Sequence, residues 1–350
     1  MIPFLDMQAR YARVAGPVEA AVSSVLRSGR YIGGPVVSEC EAAIAALMGR
    51  AHGIGAPSGT AAITRLVRAA GIQPGDEVIV PAVTFFSTAG GILRAGAVPV
   101  VVDVRPDRPL LDPDAVRAAI TPRTRAVMPV HLFGDVAALP DLGIDVLDDA
   151  AQAVGASPPP TGGRAAIVSF YPTKVLGAFG DGGMIVTDDA QLAADARALG
   201  FHGLVGPHLH ERTQGHMGGN SRLDAVQAAG LLAQLDDLPA RIRARRAIAA
   251  RYDERLGGLA LPRDPGSPVS IYCIRHPDRD GLKARLLERG VQTAVYYPRP
   301  LGAQPALDGC PTHPAPNAAA FCREALALPC YEGMPSEHVD GVLDALGTCL

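Results

Sequence analysis

The stretch Ile167-Val-Ser-Phe-Tyr-Pro-Thr-Lys174-Val-Leu-Gly-Ala-Phe-Gly-Asp-Gly-Gly183-Met-Ile-Val-Thr187 sets two apolar, β-branched runs around a lysine-bearing turn. Runs that are apolar almost throughout, instead of at alternate positions, belong to strands covered on both faces. The same texture recurs upstream at Val78-Ile79-Val80, Val100 to Asp103, Ala126 to Val130 and Asp145 to Asp148, with amphipathic segments between. Strands alternating with helices predict an α/β fold, with a mainly parallel central sheet flanked by helices. Candidate helices run from Thr60 to Ala70, Pro113 to Ile120, Ala190 to Leu199 and Ser221 to Leu235. The last puts Leu223, Val226, Leu231 and Leu235 on one side.

Beyond Pro239 the texture changes. A basic helix from Arg241 to Leu256 leads into a Pro/Gly-rich stretch, Leu261 to Pro268. Two strands, Ile271 to Ile274 and Gln292 to Tyr296, are expected there with a helix between them around Leu282 to Arg289. The expected organisation is a large domain over 1–238 and a smaller C-terminal α+β domain over 239–350.

At 350 residues and 48% hydrophobic, the chain can bury a large core. A net charge of -3 gives no electrostatic case for nucleic acid or a membrane surface. No apolar run approaches a membrane span, and Met1-Ile-Pro-Phe-Leu-Asp6 lacks the pattern of a signal peptide, so a cytoplasmic enzyme is expected. The six cysteines include no C-x-x-C pair and are expected to be reduced thiols, not metal ligands. His202, His208, His210 and His216 read as a substrate-facing loop in preference to a metal site.

A parallel sheet places its chemistry where strands end and loops begin. Lys174 lies just past a strand in a Pro-started, glycine-rich turn. In a desolvated pocket such an amine becomes a nucleophile toward an aldehyde; on the surface it is one more solvated lysine. Asp148 and Asp149 end a strand ahead of Ala150-Ala151-Gln152. An aspartate there can keep a pyridine nitrogen protonated, or it can cap the next helix. Ser58-Gly59-Thr60-Ala61 opens a helix whose free N–H groups suit a phosphate, or is only a helix start. No P-loop and no G-x-G-x-x-G occurs. Phe85 or Phe86, following a strand, can lie against a ring or pack into the core. Taken together, these residues meet the needs of pyridoxal 5'-phosphate (PLP).

These residues, with several further motifs in order, resemble the DegT/DnrJ/EryC1/StrS family of PLP-dependent sugar aminotransferases, of fold type I. The motifs are Ile2-Pro-Phe-Leu-Asp6, Gly29-Arg-Tyr-Ile-Gly-Gly-Pro35, Gly75-Asp-Glu-Val-Ile-Val-Pro81, Val130-His-Leu-Phe-Gly134, Asp149-Ala-Ala-Gln152, Ser169 to Gly183, Asn220-Ser-Arg-Leu-Asp224 and Tyr297-Pro298. The resemblance implies that Lys174 carries the cofactor as a Schiff base and shuttles the proton, and that Asp149 partners the pyridine nitrogen. It further implies that Gln152 contacts the ring or its 3'-oxygen, that Phe85 stacks on the ring, and that Gly59, Thr60, Ala61 and Ser169 hold the phosphate. Asn220 would reach the phosphate across a homodimer with shared active sites. His131 matches a family position but equally suits the core.

The implied reaction moves an amino group from glutamate or glutamine, through the pyridoxamine form, to a keto sugar carried on a nucleotide. An aromatising dehydratase, or an aminotransferase acting on a keto-cyclitol or other non-nucleotide substrate, is the alternative. A cofactor-bound sensor is a third reading, which the intact lysine and aspartate disfavour. Lys174 argues against the sugar dehydratases that carry histidine there. The chain departs from the family's usual residues at Ala61, at Gly302 and in the aromatic-free loop Pro207 to His216.

Overall fold

The computed structural model describes residues 1–350, beginning with helices α1 (Met7–Ser28) and α2 (Pro35–Leu47). There follow β1 (His52–Ala56), α3 (Gly59–Ala69), β2 (Glu77–Pro81), α4 (Ser87–Ala95), β3 (Val98–Val102), α5 (Pro113–Ala119) and β4 (Thr124–Val127). Next come β5 (Asp145–Asp149), β6 (Ala165–Ser169), β7 (Gly183–Thr187), α6 (Ala190–Gly200), a short hairpin β8 (Leu204–Gly206) and β9 (Leu209–His210), and α7 (Ala225–Leu232). The C-terminal part holds α8 (Leu238–Leu256), β10 (Tyr272–Arg275), α9 (Arg279–Glu288), α10 (Pro316–Glu324), β11 (Ala325–Leu328) and α11 (Ser336–Cys349).

Seven strands form one sheet in the order β1-β7-β6-β5-β4-β2-β3. Only β7 opposes its neighbours, β1 and β6; every other pairing is parallel. The expected α/β architecture is therefore present. Its physical basis is visible in the alternation of side chains. Ala165 and Ile167 of β6 and Ile185 of β7 enter one apolar cluster, while Ala166, Val168, Met184 and Val186 enter another on the opposite face. Both faces are buried, as near-continuous apolar strands require. No helix is long and apolar enough to cross a membrane.

Two expectations need correction. Gln292 to Tyr296 is not a strand: Val291 and Ala294 make only isolated bridges, to Ile2 and Ala327. The antiparallel partner of β10 is β11. The apolar run Ala325 to Leu328 follows α10 directly, and no turn residue marks where the helix stops. The expected helix from Ser221 to Leu235 begins only at Ala225, because the Asp224 carboxylate accepts the Gln227 N–H at 2.9 Å and caps the helix there. It ends at Leu232, and a short 3-10 turn over Leu235–Asp237 leads into α8.

A buried ionic trio ties the C-terminal part to the sheet edge. Glu332 accepts the Nε–H of Arg245, on α8, at 2.9 Å, and also that of Arg10, on α1. All three side chains are almost fully enclosed. Burial works against the Glu332 carboxylate, yet the charges of Arg245 and Arg10 hold it below the usual carboxylate range. Arg10 then donates through Nη1 to the carbonyls of Pro172 and Lys174, at 2.7 and 2.9 Å. One carboxylate thus fixes α1, α8 and the lysine-bearing turn together. Removing it would leave two buried guanidinium groups short of a counter-charge. Glu332→Ala should accordingly lower the unfolding free energy by roughly 3–5 kcal/mol, read by denaturant titration. A loss no greater than that of the exposed control Glu337→Ala would show that the trio is not under this constraint.

Candidate active site

The parallel strands end along one edge of the sheet, and that edge lines a cavity of about 710 Å³. Asp149 ends β5, Ser169 ends β6 and Gly183 begins the opposed strand β7 at the same level. Ser58, which follows β1, caps α3 by accepting the Ala61 N–H at 3.1 Å. The N–H groups of Gly59 and Thr60, at the first two helical positions, have no partner i-4 carbonyl and adjoin the cavity. Close approach explains the glycines here. A Cβ on Gly59 would lie 2.9 Å from Cβ of Ser169, and one on Gly183 would lie 2.7 Å from the nitrogen of Gly59.

Lys174 is held by local geometry. Its N–H donates to the Tyr171 carbonyl at 2.8 Å, and Ala178 closes the turn by donating to the Phe170 carbonyl at 2.7 Å. The tight turn requires Gly177, since a Cβ there would lie 2.3 Å from the Pro172 oxygen. Burial pushes the Lys174 amine below the ordinary lysine range, and the charge of Asp149 partly opposes this.

Asp149 is itself buried, and burial raises its carboxyl above the usual range. The Thr88 hydroxyl, donating to Oδ2 at 2.8 Å, and the Ala151 N–H, donating to Oδ1 at 3.1 Å, work in the other direction. Lys174 and His131 also favour the ionised form through their charges. Lys174 and Asp149 feel each other electrostatically but form no ion pair, and both line the same cavity. Phe85, 58% exposed, lines it as well. Gln152 accepts the Phe133 N–H through Oε1 at 2.7 Å, and its side chain lies beside the Tyr297 phenol at the cavity wall.

These features fit PLP. An N–H cradle with the Ser169 hydroxyl suits the phosphate, a flat exposed ring suits a pyridine face, and a buried carboxylate opposite a free amine suits the two ends of the ring. Of the residues expected from sequence, Lys174, Asp149, Gln152, Phe85, Ser169, Gly59 and Thr60 line this cavity. Ala61 does not; it lines a neighbouring cavity, and its N–H is taken by Ser58. Asn220 is exposed and lines that second cavity too. His131 is buried and does not line the cavity, with Nδ1 accepting the Ala137 N–H at 3.0 Å and Nε2 3.3 Å from Asp148. Of the loop histidines, His216 is buried and reaches the Ile72 carbonyl at 2.9 Å, and no grouping of ligand side chains in the chain could hold a metal ion.

Sequence reading missed Thr88, Tyr297 as a lining residue, and Arg245. Thr84 and Thr88, one helical turn apart just past β2, were the available signal for the first; their hydroxyls meet at 2.9 Å. Nothing local marks Arg245 among the other arginines of α8.

Comparison with known proteins gives one consistent result. The model of the DegT/DnrJ/EryC1/StrS aminotransferase family matches residues 16–347. The chain is 40% identical to the pleiotropic regulatory protein of Geobacillus stearothermophilus, over 99% of this chain and 97% of that one. It is also 40% identical to dTDP-3-amino-3,4,6-trideoxy-alpha-D-glucose transaminase of Streptomyces venezuelae, over 99% of this chain and 95% of that one. The crystal structure of S. venezuelae DesV in complex with a ketimine intermediate superposes with a TM-score of 0.91 at 38% identity, covering 99% and 97% of the two chains.

The depressed basicity of Lys174 can be tested directly. The chain has two lysines, and Lys283 is exposed. In cofactor-free protein, labelling of the Lys174 peptide by trinitrobenzenesulfonate should rise through a midpoint below that of the Lys283 peptide. Asp149→Asn removes the charge that raises the Lys174 value, so its midpoint should move lower still. Coincident midpoints for the two lysines would refute the desolvated site.

Proposed function

Because the chain belongs to the DegT/DnrJ/EryC1/StrS aminotransferase family, whose members are PLP-dependent transaminases, we propose that it moves an amino group from glutamate or glutamine to a keto sugar carried on a nucleotide. The nucleotide-sugar substrate class is supported by the names of relatives such as the S. venezuelae transaminase. The observation that carries the reading is the pairing of Lys174 and Asp149 in one cavity, near enough to feel each other yet not bonded.

Bound in this cavity, the cofactor supplies an electron sink that lets nitrogen pass from one carbon to another. The chain's residues then divide the remaining work. The N–H groups of Gly59 and Thr60, with the Ser169 hydroxyl, hold the phosphate at the positive end of α3. Asp149, oriented by Thr88 and Ala151 (whose hydrogen bonds favour the ionised form against burial), would hold a proton on the pyridine nitrogen. Phe85 fixes the plane of the ring, and the Gln152 amide steadies its edge. Lys174 Nζ would anchor the cofactor covalently and, as the unprotonated amine, would take a proton from the donor's α-carbon and deliver one on the sugar's side. A lowered amine basicity suits that role, since a base must be unprotonated to act.

We further read residues 1–238 and 239–350 as two domains, supported by a separate apolar cluster that gathers α8, α9, α11, β10 and β11. A cytoplasmic setting is supported by six free cysteines, five of them buried. A homodimer is proposed from Asn220, which lies outside its own chain's cavity, and from exposed apolar side chains such as Ile32, Phe179 and Met217.

Three outcomes test this reading. Supplied with amino sugars, free and nucleotide-linked, and with aminocyclitols, the PLP-loaded enzyme should form glutamate from 2-oxoglutarate only with nucleotide-linked sugars. Turnover with free cyclitols alone would reject the nucleotide; loss of water without glutamate would reject aminotransfer. Asp149→Asn should cost roughly 100-fold or more in rate, since a neutral amide cannot hold the ring proton, while Asp148→Asn costs far less. Equal losses would place the ring partner elsewhere. Finally, mixing inactive Lys174→Ala subunits with inactive Asn220→Ala subunits should restore activity, because one site of each mixed dimer then carries both native residues. No recovery after verified subunit exchange would count against shared sites.

A further inference from the structure

The cavity is lined by two cationic side chains of this chain, Lys174 and Arg245, and Lys174 is committed to the cofactor. Arg245 is 2% exposed. Its Nε donates to Glu332 at 2.9 Å, and its Nη1 donates to the carbonyls of Val269, Ser270 and Cys330 at 3.1, 3.2 and 2.9 Å. Nη2 takes part in none of these bonds. Nor is it one of the fully enclosed unpaired nitrogens, as Nη2 of Arg10 and Nη2 of Arg241 are. A buried guanidinium therefore keeps one N–H-bearing nitrogen open beside the cavity. Charge bookkeeping agrees with an anionic ligand. Arg10 and Arg245 share the single carboxylate of Glu332, so the trio carries a net positive charge that no side chain in it balances.

We infer that Arg245 seats the α-carboxylate of the amino donor, an assignment that rests on the aminotransfer reading above. The anions that enter such a reaction are the donor's α-carboxylate, the side-chain carboxylate where the donor is glutamate, and the diphosphate of the nucleotide sugar. The α-carboxylate is bonded to the same carbon that carries the amine, so its seat must lie close to Lys174. The diphosphate is several bonds from the keto carbon and belongs nearer the cavity mouth. Arg245 is deeply enclosed, and the Glu332–Arg10 link couples it to the carbonyls of Pro172 and Lys174. The same trio that places the amine thereby places the carboxylate, which fixes the distance between the reacting carbon and its base. Planar pairing between a guanidinium and a carboxylate suits this positioning.

The test uses the PLP-loaded holoenzyme and glutarate, a dicarboxylate with no amine to react. Arg245→Gln should weaken glutarate binding, measured by calorimetry, by roughly 10- to 100-fold. It should raise the KM for glutamate by a similar factor, at least tenfold more than it raises the KM for an amino sugar in the reverse half-reaction. Arg245→Lys, which keeps charge without the fork, should fall between. Unchanged glutarate affinity, or equal losses in the two half-reactions, would overturn the assignment and leave Arg245 a structural clamp. Should both variants fail to fold, wild-type crystals soaked in glutarate decide: a carboxylate on Nη2 supports the proposal, and a carboxylate seated elsewhere ends it. If no sugar is aminated but glutarate binding still depends on Arg245, the acceptor reading fails and the carboxylate seat stands.

Discussion

Asp149 is buried and Lys174 half-buried beside it; they carry opposite formal charges and are kept from touching. Left to themselves, a buried carboxylate and a buried amine would collapse into an ion pair or give up their charges. The backbone prevents the first outcome. Asp149 is locked at the end of β5, between two parallel neighbours, with both oxygens already accepting hydrogen bonds. Lys174 is locked in a turn closed at Tyr171 and Ala178 and pinned from behind by Arg10. The space between them is maintained by the sheet, and most of the remaining structure serves to hold those two anchors apart.

Glycines and the ionic trio supply that rigidity by different means. At the sheet edge, Gly59, Gly177 and Gly183 let backbones approach more closely than any side chain would permit, which sets the site's walls. Across the cavity, Glu332 gathers Arg10 and Arg245 and so couples α8 and the C-terminal part to the lysine-bearing turn. The close approaches leave the start of α3 at the cavity wall with its leading N–H groups free of helical partners. The ionic link makes the position of the C-terminal part matter to the geometry around Lys174.

Much of this was legible in the sequence. The apolar runs from Val78 to Thr187 gave the strands, since a strand covered on both faces has no polar side to show. Lys174, Asp149, Phe85 and the Ser58 helix opening could be found because each lies at a strand end, where local punctuation by proline, glycine and small residues marks the change of direction. Ala325 to Leu328 escaped notice, and Gln292 to Tyr296 was mistaken for its partner, because a short apolar run carries no label for pairing. Pairing depends on which backbone groups remain unsatisfied after the rest of the chain has folded.

The sequence by itself determined the α/β class, the family, and the lysine and aspartate that come to line one cavity. These are consequences of local pattern and residue chemistry, which folding does not alter. Only the tertiary structure decided that Ala61 and Asn220 stand outside the chain's own cavity, that Thr88 serves Asp149, and that Arg10, Arg245 and Glu332 form one unit. Arg10 and Glu332 are 322 positions apart, and α8 holds several arginines that no sequence pattern ranks. Which charges lose their water together depends on packing between distant segments, and burial gives those charges their effect.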